Sequence, residues 1–110
     1  MNYNIDLIPS FRKDIKKLSK RYKNIKKDLS TLKDIFNQNS PKEIGISIGH
    51  HCYKLRLKNS DIQKGKSGGY RVIYFYIEDD TITLISIYSK SDLANNIDEN
   101  EIIERLKEKC

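Results

Sequence analysis

The run YRVIYFYI, Tyr70 to Ile77, is apolar on both faces of an extended chain, with Arg71 as its one charged residue. A strand without a solvated face belongs inside a sheet covered on both sides, so this segment is expected to be central. Its neighbours are legible on either side. Cys52 to Lys58 alternates: Tyr53, Leu55 and Leu57 face one way, while Cys52, Lys54, Arg56 and Lys58 face the other. After Tyr70–Ile77, the triplet Glu78-Asp79-Asp80 turns the chain into another strand, Thr81 to Tyr88. Two short connections between neighbouring strands predict antiparallel pairing.

The N-terminal part supplies a cover for that sheet. Tyr3, Ile5 and Leu7 alternate with Asn2, Asn4 and Asp6 as a short half-buried strand does. Pro9-Ser10 ends it, and Ser10 has the chemistry of a helix N-cap. Phe11, Ile15, Leu18, Tyr22, Ile25, Leu29, Leu32 and Phe36 then recur at steps of four and three, an apolar stripe on one helical face. An unbroken helix of that length would reach about 40 Å, too long for so small a domain. A helical hairpin breaking near Lys20-Arg21-Tyr22-Lys23-Asn24 is expected instead. Asn37–Gly49, with Pro41, Gly45 and Gly49, reads as a loop containing a brief extended piece. Asp98 and Glu101 have capping-box spacing and open a short charged helix through Lys109. The expected fold is α+β, in the order β-α-α-β-β-β-α: an antiparallel four-stranded sheet with helices on one side, formed by an N-terminal hairpin and a short C-terminal helix.

A chain of 110 residues fits one domain, here 1–110. No apolar stretch is long enough to cross a bilayer and no apolar signal region follows the N-terminus. Cys52 lies in an expected strand and Cys110 is the last residue, so no disulfide framework is indicated and a reducing cytoplasm is expected. Twenty-one lysines and arginines against fifteen acidic residues give a net charge of +6. That balance favours a polyanionic partner. The outer face of the hairpin is the richest region, carrying Arg12, Lys13, Lys16, Lys17, Lys20, Arg21, Lys23, Lys26, Lys27 and Lys33. It reads either as a solvated face or as a footprint for phosphates.

Most catalytic constellations are missing. There is no P-loop, dinucleotide fingerprint, nucleophile elbow or spaced cysteine pair. His50-His51-Cys52 lacks an obvious fourth ligand, and adjacent residues of a strand point to opposite faces, so no metal site is expected. The carboxylates gather in the Glu78–Asp80 turn and the C-terminal helix, away from the cationic strands. The cations themselves are the stronger signal. Lys54 and Arg56 share a strand face, Lys64 and Lys66 lie in a glycine-rich loop, Arg71 opens the central strand and Lys90 follows the fourth. Antiparallel strands bring these ends together, and a loop with Gly68 and Gly69 can offer backbone N–H groups to an anion. A charge as close to a central strand as Arg71 needs a partner, and a phosphate would serve.

The segments YKLRL, KGKSGGYRVIYFY and ISIYSK, taken together, resemble the RelE/ParE superfamily of bacterial toxin–antitoxin toxins, within it most nearly the RelE and HigB-like mRNA interferases. The resemblance spans nearly the whole chain. It implies a small basic endoribonuclease that cuts mRNA, commonly on the ribosome, without a metal ion or other cofactor. It also implies a cognate antitoxin that covers the active surface. Carried over by position, Lys54 and Arg56 match the paired basic residues of the second strand, Arg71 matches the arginine opening the third, and Lys90 falls where many members have an arginine. Lys64 and Lys66 match the basic loop of the HigB-like branch. Where RelE has a catalytic tyrosine, this chain reads SDLANNIDENE.

The implied chemistry is attack of a ribose 2′-OH on its own 3′-phosphate. Arg56 and Arg71 are the candidates for transition-state charge. Lys54 is the candidate base, its pKa lowered by crowding, with Lys90 or Lys66 as the acid. Lys58, Lys64, Gly68, Gly69 and Tyr70 are the expected RNA contacts. A gyrase-poisoning toxin of the ParE type and a non-catalytic basic RNA- or ribosome-binding domain are the alternatives. Neither a membrane partner nor a cofactor is expected.

Overall fold

A computed structural model describes residues 3–62, 68–92 and 97–109. Five strands form one sheet in the order β1-β5-β4-β3-β2, with β1 Asn4–Leu7, β2 Ile46–Gly49, β3 Cys52–Leu57, β4 Tyr70–Phe75 and β5 Thr81–Ser89. The helices are α1 Pro9–Ser19, α2 Ile25–Gln38, the single turn α3 Pro41–Ile44, and α4 Glu99–Leu106. β4 is central, and five of its six residues are buried. The apolar run thus does what a run without a polar face must do.

Two features of the sheet differ from the sequence expectation. The brief extended piece is a full edge strand, β2, antiparallel to β3. β1 pairs with β5 in parallel, so the sheet is five-stranded and mixed rather than four-stranded and antiparallel. The parallel pair arises because α1 and the rest of the chain intervene between β1 and β5, which leaves the direction of pairing free of any hairpin constraint.

The helical hairpin breaks where the length argument placed it, between α1 and α2 at residues 20–24. Its stripe packs on one sheet face: the Tyr22 and Tyr70 rings meet edge-on at 5.7 Å, and Phe36 meets Tyr74 at 5.0 Å. The helix begins two residues earlier than a Ser10 N-cap implies, with Ile8 at the N-cap and Pro9 as its first residue, whose missing N–H costs nothing at a helix start. Ser10 instead donates to Glu108 at 2.5 Å, tying α1 to the chain end.

The helices are not confined to one side. α4 and the residues after it cross the other face, where Lys109 Nζ lies 3.5 Å from the centroid of the Phe75 ring. Past Leu84, β1 no longer borders β5. There Asp14 Oδ2 accepts from the Ile87 N–H at 3.1 Å, and Arg105 donates to the Ile85 carbonyl at 3.0 Å. Side chains thus complete the hydrogen bonding of an edge that would otherwise leave polar backbone unmet. No described helix is long and apolar enough to cross a membrane.

Candidate functional site

The register of the three middle strands decides what shares a face. Leu57, Tyr70 and Ser89 form one row, and Arg56, Arg71 and Tyr88 form the next. The first row faces the helical hairpin, where the Tyr22 and Ser89 hydroxyls lie 3.3 Å apart. The second faces the opposite side. Lys54 belongs to that second face in a row with Ile73 and Ser86. Lys90 reaches the same end of the sheet, its N–H bonded to the Gly69 carbonyl at 3.0 Å. The alternation of β3 therefore places Lys54 and Arg56 on the face that receives Arg71, and exposed Lys58 follows directly after the strand.

These cations feel one another. Lys54 sits below its ordinary pKa, first because it is partly buried and then because Lys90, Arg71 and Arg56 repel its proton. Arg71 is 5% exposed. Burial, followed by the charge of Arg56, pulls it below the usual guanidinium value, with Tyr88 acting the other way. One of its N–H groups reaches the Tyr70 carbonyl at 3.3 Å. A cluster of like charges at the end of a buried sheet is unfavourable by itself. Its guanidinium forks match the geometry of an anion with several oxygens, such as a phosphate.

Not every expected residue belongs there. Tyr70 is fully buried on the hairpin face against Tyr22, so its ring is closed to a base and serves as core. Gly69 is buried too, and a Cβ there would collide with the Leu57 carbonyl. Its glycine is required by close contact with β3, not by approach to RNA. Gly68 is partly exposed beside it. Lys64 and Lys66 lie outside the described residues. His50 and His51 are not strand residues but form the two-residue β2–β3 turn, both with positive φ, 57° and 60°. His50 bonds Glu99 at 2.8 Å, and Cys52 is buried beneath.

Tyr88, which the sequence places in the fourth strand and not at the position of the RelE tyrosine, belongs to the site. Tyr88 stands opposite Arg71 on the cationic face, and burial raises its pKa. The spacing of two between Tyr88 and Lys90 carried that signal.

Neither a family model nor a curated protein matches the sequence. Among solved structures, the chain resembles the E. coli toxin RelE, determined in the free state as a mutant with two arginines replaced by alanine. Identity is 22%, the match covers 97% of each chain, and the TM-score is 0.54. The chain has a RelE-like fold. In this RelE-like sheet the cationic cluster occupies the end where β3 finishes, β4 starts and β5 finishes. At this identity the likeness speaks for the fold, and the side chains above carry the argument about chemistry.

Proposed function

We propose that residues 1–110 form a single toxin domain of a type II toxin–antitoxin pair, an endoribonuclease that cuts mRNA and so stops translation. The observation that carries this reading is the convergence of Lys54, Arg56, Arg71 and Lys90 on one sheet face of a RelE-like fold, with the Lys54 ammonium weakened by the other three.

The proposed step is transesterification. Neutral Lys54 removes the proton from the ribose 2′-OH, and the new 2′-O–P bond forms as the P–O5′ bond breaks. The products are a 2′,3′-cyclic phosphate and a 5′-oxygen that takes its proton from Lys90. Arg56 and Arg71 stabilise the additional charge on the phosphorane, where fixed donors act most strongly. Alignment of the 2′-oxygen with the leaving oxygen supplies the remainder. A lysine becomes a better base as its pKa falls, and burial followed by the charges of Lys90, Arg71 and Arg56 lowers that of Lys54.

The expected setting is the cytoplasm, with the A site of a translating ribosome as the place of cutting. A cognate antitoxin would neutralise the chain by covering the cationic face with acidic side chains. The test is to add wild type, Lys54→Ala and Arg56→Ala to translating extracts and to naked mRNA, then map the RNA ends. Translation-dependent cuts by the wild type alone support the reading. Intact mRNA accompanied by trapped gyrase–DNA complexes would overturn it in favour of a ParE-type toxin.

A further inference from the structure

The charge of this chain is concentrated in one motif. Residues 9–38 hold ten lysines and arginines against three aspartates, whereas the remainder holds eleven against twelve. The hairpin therefore accounts for the whole positive balance. Folding sharpens the imbalance. Asp14 is turned inward to Arg105 and the Ile87 N–H, and Asp28 is 5% exposed with its carboxylate on the Ser60 N–H. Of the three hairpin aspartates, Asp34 alone is exposed.

Six of the cations surround the hairpin turn: Lys16, Lys17, Lys20, Lys23, Lys26 and Lys27, all exposed. Among the described residues none of these six forms an ion pair. Lys26 and Lys27 lie in the first turn of α2, where the helix dipole adds to their charge instead of offsetting it. Lys16 and Lys17, in the last turn of α1, are favoured by its dipole, but crowding six exposed cations around one turn still leaves them repelling one another.

The turn is also held at a defined place. The Asn24 backbone N–H and side-chain amide both donate to Asp61 at 2.9 Å, and Arg21 pairs with Asp92. Asp61 follows β3 and Asp92 follows β5, so the turn is fastened to the two connections bordering the cationic site. The lysines around it stand at the same end of the sheet as Arg56, Arg71 and Lys90, on the hairpin side.

The chemistry of the surface selects its ligand. A bilayer would require apolar side chains beside the lysines, but the hairpin stripe from Phe11 to Phe36 is spent on the sheet. A protein partner would require aromatic or aliphatic anchors, and lysine is depleted in such interfaces. Single-stranded RNA is held by stacking on exposed aromatics, while the only aromatic of the turn, Tyr22, is 6% exposed. What remains is a lysine surface that meets phosphates without reading bases, as proteins bind double-helical RNA.

We propose that Lys16, Lys17, Lys20, Lys23, Lys26 and Lys27 form a second phosphate-binding surface, which docks the backbone of folded, double-helical RNA beside the cationic site. This surface follows from the charge distribution and does not depend on the cleavage reading.

Its test is titration of the full chain with a fluorescent RNA duplex of about 16 base pairs, at salt from about 50 to about 200 mM. The quadruple variant Lys17→Gln/Lys20→Gln/Lys23→Gln/Lys27→Gln is expected to bind at least tenfold more weakly. Its log–log salt slope should be shallower by roughly three to four, near one per lost phosphate contact. Lys54→Ala/Arg56→Ala should retain most of the duplex affinity. Circular dichroism should show both variants folded, since the four lysines and Arg56 are exposed and Lys54 is only half-buried. The proposal falls if the quadruple variant binds duplex like wild type, or if a single-stranded oligouridine or phosphatidylserine vesicles bind more tightly than duplex. If the duplex binds through these lysines but no RNA is cut, the surface stands and the nuclease reading fails.

Discussion

Arg56 and Arg71 stand directly opposite each other on β3 and β4, and Arg71 is almost entirely buried. Like charges in opposed positions destabilise a sheet by about 0.2–1 kcal/mol. Two guanidinium groups set side by side in this way match an anion with several oxygens, such as a phosphate. Replacing exposed Arg56 with Gln is expected to leave thermal stability unchanged or raise it by up to about 1 kcal/mol. The same change should lower RNA cleavage about a hundredfold or more, through loss of transition-state charge. Thermal denaturation and end-mapping on one preparation measure both. A destabilised variant that still cuts would contradict the assignment.

Lys54 predicts a pH dependence with a definite sign. Its pKa is lowered by burial and then by Lys90, Arg71 and Arg56. The base is its neutral form, so cleavage should rise with pH and level off below the ordinary lysine value of 10.5. On the acid limb the rise should be about tenfold per pH unit. Lys54→Arg keeps the positive charge but cannot deprotonate in this range, so it should be nearly inactive at every pH. A wild-type profile that is flat across the neutral range would remove Lys54 from the base role.

How much of this was legible in the sequence depended on the range of the interaction. The centrality of β4 and the facing of Lys54 and Arg56 follow from a period of two, a local property, and both appear in the structure. The hairpin break followed from helix length against domain size. Parallel pairing of β1 with β5 did not follow, because it joins residues about eighty positions apart and depends on tertiary packing. Tyr70 looked available to a base because it follows a glycine loop. Only strand register shows that it shares the hairpin face with Leu57 and Ser89. The inward turn of Asp14 and Asp28, which makes the hairpin surface so basic, is equally a long-range effect.

Asp14 is the residue through which α1, β5 and α4 meet. Its carboxylate accepts from Arg105 at 2.7 Å and from the Ile87 N–H at 3.1 Å, and both side chains of the ion pair are under 20% exposed. Arg105 keeps Glu101 at 3.0 Å as a second partner. Asp14→Ala would leave a largely buried guanidinium short of one carboxylate and a strand N–H without its acceptor. The expected loss is about 3 kcal/mol, towards the lower end for breaking a buried pair because Glu101 remains. Asp34→Ala, on the exposed side of the same hairpin, should cost roughly 0.5 kcal/mol or less. Urea unfolding of the two variants compares them, and equal losses would show that the Asp14 contacts contribute little.

The buried hydroxyls and thiol predict alkaline weakness. Burial pushes the Cys52 thiol up to about 11 from 9.0, with Lys109 opposing. Tyr74 is raised well above its ordinary 10.0, by burial first and then by Tyr53. Tyr70 is raised as well, by burial and then by Asp28 and Asp61. In each case the fold keeps a proton that the unfolded chain releases earlier. These contributions are complete below pH 9.0 and are lost as the pH climbs from there through 10.0 and beyond. Lys54 acts in the opposite sense, since the fold releases its proton first, but it is one partly exposed group against three buried ones. Cys52 alone accounts for about 2–3 kcal/mol across its window. Urea midpoints should therefore fall steadily above pH 9. Tyr74→Phe removes the 2.6 Å bond to the Pro41 carbonyl and should cost roughly 1 kcal/mol at neutral pH. It should also flatten the decline above pH 10, because the ring then has no proton to keep. If the variant and the wild type decline in parallel, Tyr74 is not one of the groups responsible.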